Sequence, residues 1–439
     1  FSYLLEIVKK ESEYASFFEI GFIIRELLLG NKILIKNIDE LDKSIIDGII
    51  PFLSDVVYLK NCLPDNFNYL SNVKIDNPSI FFTCSELQYK KLPNAFRSRV
   101  QAIYIKDLTV TDLQQCVEDI NLLNAYDSRI KDYSDINRVL NVIKIANVLN
   151  KFNTPEERID FAYKIINQEH IFLDNDKKIY KLDDLVEFDE KYHMLISKRT
   201  GVCIETDEYH KNELEKLIYV PCIANLLDIV IISLATHIPL IIESPPGQAK
   251  TSLARAFGYA ISKVVIPNNM SENKPTEEYI GQIESSENGF QYKIGLLYEE
   301  IDKEKIFLID EFNLANRALL SFFLKIFKAP YGNHIDHPYI KELFEKKIDF
   351  IATMNPSNTN VCRAPLPRGF SSCSIIYKME DYSISDIIYI IRNIFKKYSL
   401  KFDEYKETME FIIECHGIAI NESVDVTIRD ILKLDELLD

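Results

Sequence analysis

The sequence contains no long run of lysine or arginine, and acidic residues outnumber basic ones, 67 to 51, for a formal net charge of −16 at pH 7. Tight binding to a phosphate backbone depends on clustered positive charge. The composition therefore gives no reason to expect a direct, sequence-specific nucleic-acid partner.

Paired cysteine motifs are also missing, because the eight cysteines are scattered and none forms a CxxC pair. Neither a zinc site nor a disulfide framework is indicated. We expect reduced, mostly buried thiols in an intracellular protein.

An uninterrupted membrane span is absent as well. The most apolar stretch, residues 222–242, contains Asn225, Asp228, His237 and Pro239, which are costly or disruptive in hydrocarbon. We expect a helix followed by a buried strand there, and no membrane partner. No signal peptide opens the chain, whose first residue is Phe, so we expect a segment of a longer protein.

What the sequence does contain is an internal repeat. Residues 21–46 align without a gap over residues 295–320, an offset of 274, and the same offset relates LPNAF at 92–96 to LPRGF at 366–370. Agreement at two distant places predicts two copies of one domain. The first copy has no room before Gly21 for a phosphate-binding loop and the strand that would open it, so we expect this copy to be incomplete.

Short apolar runs alternate with amphipathic stretches in each copy. Such runs are typical of buried parallel strands, so we predict an α/β fold. The predicted strands of the second copy are 240–242, 264–266, 306–309, 350–354 and 375–377.

Residues 244–251, SPPGQAKT, follow a predicted strand and open a helix with one apolar face. A P-loop needs this strand–loop–helix arrangement, because backbone N–H groups at a helix N-terminus face the phosphates of a nucleotide. Lys250 is placed to reach the β- and γ-phosphates of ATP, and the Thr251 hydroxyl to ligate Mg²⁺. The predicted nucleotide-binding residues are Pro246, Gly247, Gln248, Ala249, Lys250, Thr251, Ser252 and Asp310.

The loop departs from the usual GxxxxGK[ST] pattern, since Ser244 and Ala249 occupy positions where glycine is usual. A left-handed backbone at Ala249 would cost ~1–2 kcal/mol. Taken alone, the segment fits either a P-loop or an unrelated loop.

A second motif is the apolar strand 306–311, IFLIDE, which ends in two carboxylates. Open α/β sheets bind ligands at the carboxyl ends of their strands. We predict that Asp310 holds Mg²⁺ through water and that Glu311 orients and polarises the attacking water. The alternative is a strand that simply ends in two solvated acids.

Three segments then make a family resemblance specific, namely DEFNLA at 310–315, ATMNP at 352–356 and LPRGF at 366–370. Together they resemble the dynein-related branch of AAA+ ATPases, and within it the midasin family. The resemblance implies tandem modules that use ATP and Mg²⁺, each with a P-loop parallel-sheet core and a helical lid. The predicted domains are an incomplete, degenerate core at 1–107, its lid at 108–170, a linker at 171–215, a core with the P-loop at 216–380 and its lid at 381–439.

The resemblance also implies roles for residues outside the two motifs. Asn355 resembles the sensor-1 asparagine, which hydrogen-bonds the γ-phosphate or the lytic water. Arg429 resembles the sensor-2 arginine, which reaches from the lid to the phosphates. Arg97 and Arg99 match the positions of arginine fingers that complete the site of a neighbouring module. Without the resemblance, Asn355 is read as a turn residue and Arg429 as a solvated helix residue.

The first copy lacks the corresponding chemistry. In the gapless alignment Lys36 and Asn37 replace the two carboxylates, and Ser85 lies near the place of the sensor-1 asparagine. A lysine cannot ligate Mg²⁺ and an asparagine cannot act as a base, so we predict that this copy does not hydrolyse nucleotide. Using Asp39 and Glu40 instead would restore an acidic pair but breaks the offset.

The finger positions show the opposite asymmetry, since the second copy has Ser371 and Cys373 there. Arg97 and Arg99 would therefore serve a module outside this chain, and the Lys250 site would need a finger from outside it. Because a finger contributes roughly 10³–10⁵ in rate, we expect the chain alone to be a weak ATPase.

The resemblance implies a ring of AAA+ modules that remodels a macromolecular client. For a midasin-type protein the client would be a pre-60S ribosomal particle and the compartment nuclear or nucleolar; otherwise we expect a cytoplasmic protein. Two alternatives stay open. One is the AAA+ ring of a giant mysterin-type ubiquitin ligase, and the other is a module that holds ATP as a structural ligand with little turnover.

Overall fold

The structure is a computed structural model of the chain. It describes residues 5–9, 16–20, 22–35, 38–41, 43–54, 56–58, 73–84, 86–104, 109–114, 116–133, 135–168, 179–286, 289–298, 303–328, 348–356 and 366–397. The chain divides into two compact units, residues 1–106 and residues 107–439.

The first unit consists of short strands and helices. Its described strands are β1 (Leu5–Lys9), β2 (Ser16–Ile20), β3 (Ile33–Ile35), β4 (Val56–Tyr58), β5 (Lys74–Asp76) and β6 (Ile80–Phe82). Its described helices are α1 (Phe22–Leu28), α2 (Lys43–Ile49), α3 (Glu86–Tyr89) and α4 (Asn94–Arg97). β3 and β6 pair in parallel, whereas β1–β2 and β4–β5 form antiparallel pairs.

The β3–β6 pair is covered by helix on one face. Ile46 of α2 packs in one cluster with Phe82, Leu92 and Phe96. The opposed residues Leu34 and Phe81 lie on the other face, because alternate strand residues point to opposite sides, and each is 55% exposed.

The second unit begins with a helical bundle made of α5 (Val110–Leu113), α6 (Ile120–Arg129), α7 (Ile136–Val148) and α8 (Pro155–Ile166). Side-chain caps start the three longer helices: Asp119 and Asp135 each accept two backbone N–H bonds, and Thr154 forms a capping box with Glu157. The stretch predicted to be largely helical at 108–170 is helical in its described part. It packs in the same apolar core as the elements that follow.

Residues within the predicted linker are folded. They form α9 (Leu182–Leu185), an antiparallel meander of β7 (Val186–Asp189), β8 (Met194–Ser197) and β9 (Cys203–Glu205), and α10 (Lys211–Glu215). Leu195 and Val202 are fully buried in the core. From residue 179 onward, the predicted linker is therefore part of the second unit, because alternate residues of its strands point into the apolar core.

A buried ion pair ties this meander to α11 (Pro221–Thr236). Arg199 Nη2 lies 2.6 Å from Asp228 Oδ2, and Ser197 Oγ donates to Asp228 Oδ1 at 2.7 Å. Burial raises the pKa of Asp228 to about 6, although Arg199 and Ser197 act in the opposite direction. At pH 7 the carboxylate is therefore ionised and depends on Arg199 for its charge partner.

α11 and the strand after it match the expectation for residues 222–242. Among the described helices, none combines the length and the apolar character needed to cross a membrane.

The remaining elements build the predicted α/β fold. They are β10 (Leu240–Glu243), α12 (Lys250–Ala260), β11 (Val264–Asn269), α13 (Glu277–Ile280), β12 (Gly281–Ser286), β13 (Gly289–Ile294), β14 (Lys305–Asp310), α14 (Arg317–Lys328), β15 (Ile348–Met354), β16 (Ile375–Lys378) and α15 (Ile384–Lys397). All five predicted strands are confirmed, and they form one parallel sheet in the order β11-β14-β15-β10-β16.

Helices cover both faces of this sheet. Leu308 and Ile351 join the cluster that contains Phe257 of α12, whereas Phe307 joins the cluster around Phe323 of α14. Burial on both faces explains why the strands are continuous apolar runs.

One local arrangement occurs in both units. β3, the 3-10 turn Ile38–Glu40 and α2 follow one another in the first unit, as β14, the 3-10 turn Phe312–Leu314 and α14 do in the second. The two 3-10 turns are separated by the offset of 274 residues that relates the sequence copies.

The five cysteines in the described part are all unpaired. Only Cys222 and Cys373 are buried, so the expectation of mostly buried thiols is wrong for the other three, Cys84, Cys116 and Cys203. Burial raises the pKa of both buried thiols to about 12, which makes them poor nucleophiles.

Three neighbouring strands bring the predicted site together. β15 lies between β14 and β10 in the sheet. The loop 244–249 follows β10, Glu311 follows β14 and Asn355 follows β15. Because the strands are parallel, these residues meet at one edge, where open α/β sheets bind ligands.

Candidate functional site

The loop between β10 and α12 has the backbone that the sequence suggested. Gly247 (φ 88°) and Ala249 (φ 53°, ψ 12°) both adopt the left-handed region, and α12 begins at Lys250. For Ala249 this conformation costs ~1–2 kcal/mol. The first N–H groups of a helix have no partner within the helix, so the start of α12 offers donors to an anion held in the loop.

The Lys250 ammonium lies at the junction of the loop and β15. The residue is 8% exposed, and its Nζ donates to Ser244 O at 2.6 Å, Met354 O at 3.0 Å and Asn355 Oδ1 at 2.7 Å. These acceptors hold the Lys250 ammonium beside the N-terminus of α12. A phosphate group bound there would interact with both the ammonium and the helix N-terminus.

The Asp310 carboxylate is held by two hydroxyl groups. Thr251 Oγ1 donates to Asp310 Oδ1 at 3.3 Å, and the Thr353 hydroxyl donates to the same oxygen. No cluster of three or more His, Cys, Asp or Glu side chains occurs in the described part of the chain. The donor set nevertheless fits Mg²⁺, which prefers one or two protein oxygen ligands together with phosphate oxygens and water.

Asn355 joins the two ends of the site. Its Oδ1 accepts from Lys250, and its Nδ2 donates to Glu311 Oε1 at 2.8 Å. Because an ammonium only donates and a carboxylate only accepts, these partners determine which way the amide faces. Asn313 Nδ2 donates to Asn355 O at 2.8 Å and supports the residue from behind.

Glu311 adopts a left-handed backbone with φ 57° and ψ 42°. Its own N–H bonds the Asp310 carboxylate at 3.1 Å, so the chain turns sharply between the two acids. Left-handed backbone is uncommon for residues other than glycine and often marks a functional position. The turn separates the two carboxylates: Asp310 faces Thr251, whereas Glu311 faces Asn355.

The structure thus brings Lys250, Thr251, Asp310, Glu311 and Asn355 together in one connected cluster. Several other predicted site residues are not part of this cluster. Arg97 and Arg99 lie in the first unit, where their guanidinium groups bond Asn94 Oδ1 and Ala95 O. Arg429, Ser85, Lys36 and Asn37 lie outside the described residues.

Sequence reasoning missed three polar residues at the site: Thr353, Asn313 and Asp381. Asp381 accepts a bond of 2.9 Å from Gln248. Thr353 could have been found, because it is a polar residue near the carboxyl end of β15, two residues before Asn355. Asn313 and Asp381 carried no local signal.

Comparison with known proteins finds sequence relatives of the region that contains this site. Residues 239–368 match the family model of the AAA domain of the dynein-related subfamily. Midasin of Giardia intestinalis is 24% identical over 157 residues, which are 36% of this chain and 3% of that protein. Midasin of Dictyostelium discoideum is 26% identical over 160 residues, 34% of this chain and 3% of that protein. The matched region is thus only a few per cent of the length of these curated relatives.

A solved structure gives a weaker likeness. The crystallised protein from Cytophaga hutchinsonii named "putative ATPase" aligns with 42% of this chain and 55% of its own, at 15% identity and a TM-score of 0.29. A score this low supports no argument about this chain.

Proposed function

We propose that this chain, a midasin-like AAA+ ATPase of the dynein-related subfamily, binds ATP with Mg²⁺ at the 244–251 loop and hydrolyses it there. The observation that carries the proposal is the bonded cluster of Lys250, Thr251, Asp310, Glu311 and Asn355. Its members come from three strand ends and meet at the sheet edge used by open α/β folds.

In this proposal the loop and the start of α12 bind the triphosphate. Backbone N–H groups of 247–252 surround the β-phosphate, and Lys250 reaches the β- and γ-phosphates. To do so the Lys250 ammonium exchanges some of its bonds to Ser244 O, Met354 O and Asn355 Oδ1 for phosphate oxygens. The Thr251 hydroxyl and Asp310, the latter through water, would hold Mg²⁺, which neutralises charge on the phosphates when bound.

Hydrolysis then requires a water in line with the γ-phosphorus. Glu311 accepts a proton from that water while the water oxygen forms a bond to the γ-phosphorus. The bond from the γ-phosphorus to the bridging oxygen breaks, which leaves ADP and phosphate. Asn355 positions Glu311 through its Nδ2 and contacts the γ-phosphate or the water. Arg429 would reach the phosphates from the lid, as the family resemblance implies.

We also propose that the first unit is another AAA+ module, and that this module is degenerate. The sequence offset and the repeated order of strand, 3-10 turn and helix support this. With Lys36 and Asn37 in place of the two acids, this module would not hydrolyse ATP. Arg97 and Arg99 would then act as fingers toward another module of a ring.

The client is proposed from resemblance alone. The matched relatives are named midasin, so a pre-60S ribosomal particle and a nuclear compartment are favoured over a mysterin-type ligase. Purification of the ring-containing protein with its bound particle tests this, and co-purification of ubiquitin-ligase activity instead would contradict it.

Replacing Lys250 with methionine tests nucleotide binding. We expect the affinity for ATP·Mg²⁺ to fall by roughly 10–100-fold, because hydrogen bonds to charged groups contribute about 1.5–3 kcal/mol. Isothermal titration measures it. Lys216→Met, at an exposed lysine on α10's C-terminal side, is the matched control and should bind normally. Equal affinity in the two variants would contradict the assignment of Lys250.

Replacing Asn355 with alanine tests whether this residue positions the reacting groups or contributes to ATP binding. We expect single-turnover hydrolysis to slow by about 10²-fold, because one polar group aligned with the reacting centre contributes that much. ATP affinity should change far less, since Lys250 and the loop remain. A large loss of affinity with an unchanged rate would reverse the two roles and contradict this assignment.

A further inference from the structure

The Thr353 side chain is fully buried near the carboxyl end of β15, and its hydroxyl donates to Asp310 Oδ1. Strand pairing explains this contact. β14 and β15 run parallel and pair Ile309 with Ala352. The next residues, Asp310 and Thr353, are therefore lateral neighbours whose side chains point to the same face of the sheet.

The donors that reach the Asp310 carboxylate all bind one of its two oxygens. Oδ1 accepts from the Thr353 hydroxyl, from Thr251 Oγ1 at 3.3 Å and from Glu311 N at 3.1 Å. Among the described residues, no donor reaches Oδ2. One oxygen of the carboxylate is thus held by the protein, and the other remains to accept a hydrogen bond from a metal-bound water.

The three donors differ in what determines their position. Thr251 lies in the first turn of α12 and is itself a proposed Mg²⁺ ligand, so its contact depends on what the loop binds. Glu311 N belongs to the residue next to Asp310 and turns with it. Thr353 instead lies on β15, which has β14 on one side and β10 on the other. Its hydroxyl therefore holds the carboxylate from a fixed element of the sheet.

Packing alone would favour an apolar residue at position 353. Ala352 and Met354, on either side, are buried and apolar. Valine has nearly the shape of threonine, is equally suited to a strand and buries no polar atom. A buried hydroxyl needs a hydrogen-bond partner, and the Thr353 hydroxyl has one in Asp310. The hydroxyl is thus explained by the carboxylate rather than by the core.

We propose that Thr353 is a positioning residue for Mg²⁺, because its hydroxyl holds Asp310 Oδ1 and so presents Oδ2 to a metal-bound water. This inference rests on the proposed function, since it concerns the metal that accompanies the nucleotide. Mg²⁺ requires near-ideal octahedral geometry and keeps several waters, so the orientation of a carboxylate that binds one of these waters matters. Partners that orient metal-binding groups contribute roughly 10–100-fold to metal affinity.

Titration of ADP into the full chain, at varied Mg²⁺ and with EDTA in place of Mg²⁺, tests this role. We expect Thr353→Val to raise the Mg²⁺ concentration that produces half of the metal's effect on ADP affinity by roughly 10–100-fold. ADP affinity in EDTA should equal that of the wild type, because Lys250 and the loop remain. Thr353→Ser, which keeps the hydroxyl, should retain the wild-type Mg²⁺ requirement.

Thr83→Val is the matched control. Thr83 directly follows β6 in the first unit, where the gapless alignment has Lys36 in place of Asp310. This substitution removes a threonine hydroxyl from a comparable strand end that lacks the metal-binding acid. We therefore expect the Mg²⁺ requirement of Thr83→Val to equal that of the wild type.

An unchanged Mg²⁺ requirement in Thr353→Val would overturn the positioning role and leave nucleotide binding intact. Weaker ADP binding in EDTA would also overturn it, because the defect would then not concern the metal. If Thr353→Val does not fold, Thr353→Ala carries the same expectations. A wild type that binds no ADP would instead refute the proposed function, and the role of Thr353 with it.

Discussion

Replacing Glu311 with glutamine is expected to lower the rate of ATP hydrolysis by about 10²–10⁴-fold, the usual contribution of a general base, while ATP stays bound. Glutamine has nearly the size of glutamate, and its amide oxygen can still accept the hydrogen bond that Glu311 Oε1 receives from Asn355 Nδ2 at 2.8 Å. The substitution therefore leaves the Lys250 and Asp310 contacts in place and removes only the proton acceptor.

Single-turnover hydrolysis with protein in excess is the suitable measurement, because we expect slow turnover. Ser371 and Cys373 stand where the family resemblance would place arginine fingers. Glu205→Gln, at an exposed acid that ends β9, is the matched control and should leave the rate unchanged. A Glu311→Gln variant as fast as the wild type would remove Glu311 from the mechanism. A wild type that binds ATP without turnover above background would favour the structural-nucleotide alternative.

Replacing Arg199 with alanine is expected to destabilise the second unit by about 3–5 kcal/mol at neutral pH, because it leaves a buried carboxylate without a charge partner. Asp228 is fully buried, and Arg199 also donates to Asn225 Oδ1 at 3.1 Å and lies over the Tyr180 ring. The meander and α11 would lose this ion pair and keep the bond from Ser197 Oγ to Asp228.

The destabilisation caused by Arg199→Ala should depend on pH. Burial already raises the pKa of Asp228 to about 6, above the value of about 3.9 for an unfolded chain. For such a group the stabilising contribution is present below the unfolded pKa and is lost as the pH rises through the folded pKa. Without the guanidinium the folded pKa rises further, so Arg199→Ala should be less destabilised at pH 5 than at pH 8.

Urea denaturation followed by far-UV circular dichroism measures this difference, since the protein has no tryptophan. Arg129→Ala is the matched control, because Arg129 forms an exposed ion pair with Asp160 and such pairs contribute only about 0–1 kcal/mol. Equal destabilisation by the two substitutions, or a larger effect at pH 5 than at pH 8, would contradict the importance of the buried pair.

Local sequence was sufficient for the elements that consecutive residues define. The five apolar runs became the five strands of the sheet, because a strand buried on both faces must be apolar throughout. The left-handed backbone at Ala249 was also foreseeable, since a loop that curls around a phosphate needs it where glycine is usual. The fold of residues 179–215 was harder to predict, because its few inward-facing residues are separated by charged ones.

By itself, therefore, the sequence determined the chemistry available at each strand end, because side-chain type and spacing along one strand are local properties. Only the tertiary structure decided which of these ends become neighbours. The contacts of Asn355 with Lys250 and Glu311, of Gln248 with Asp381, and of Arg199 with Asp228 join residues far apart in the chain. They depend on strand order and on the packing of whole helices, and a local pattern of polar and apolar residues does not encode either.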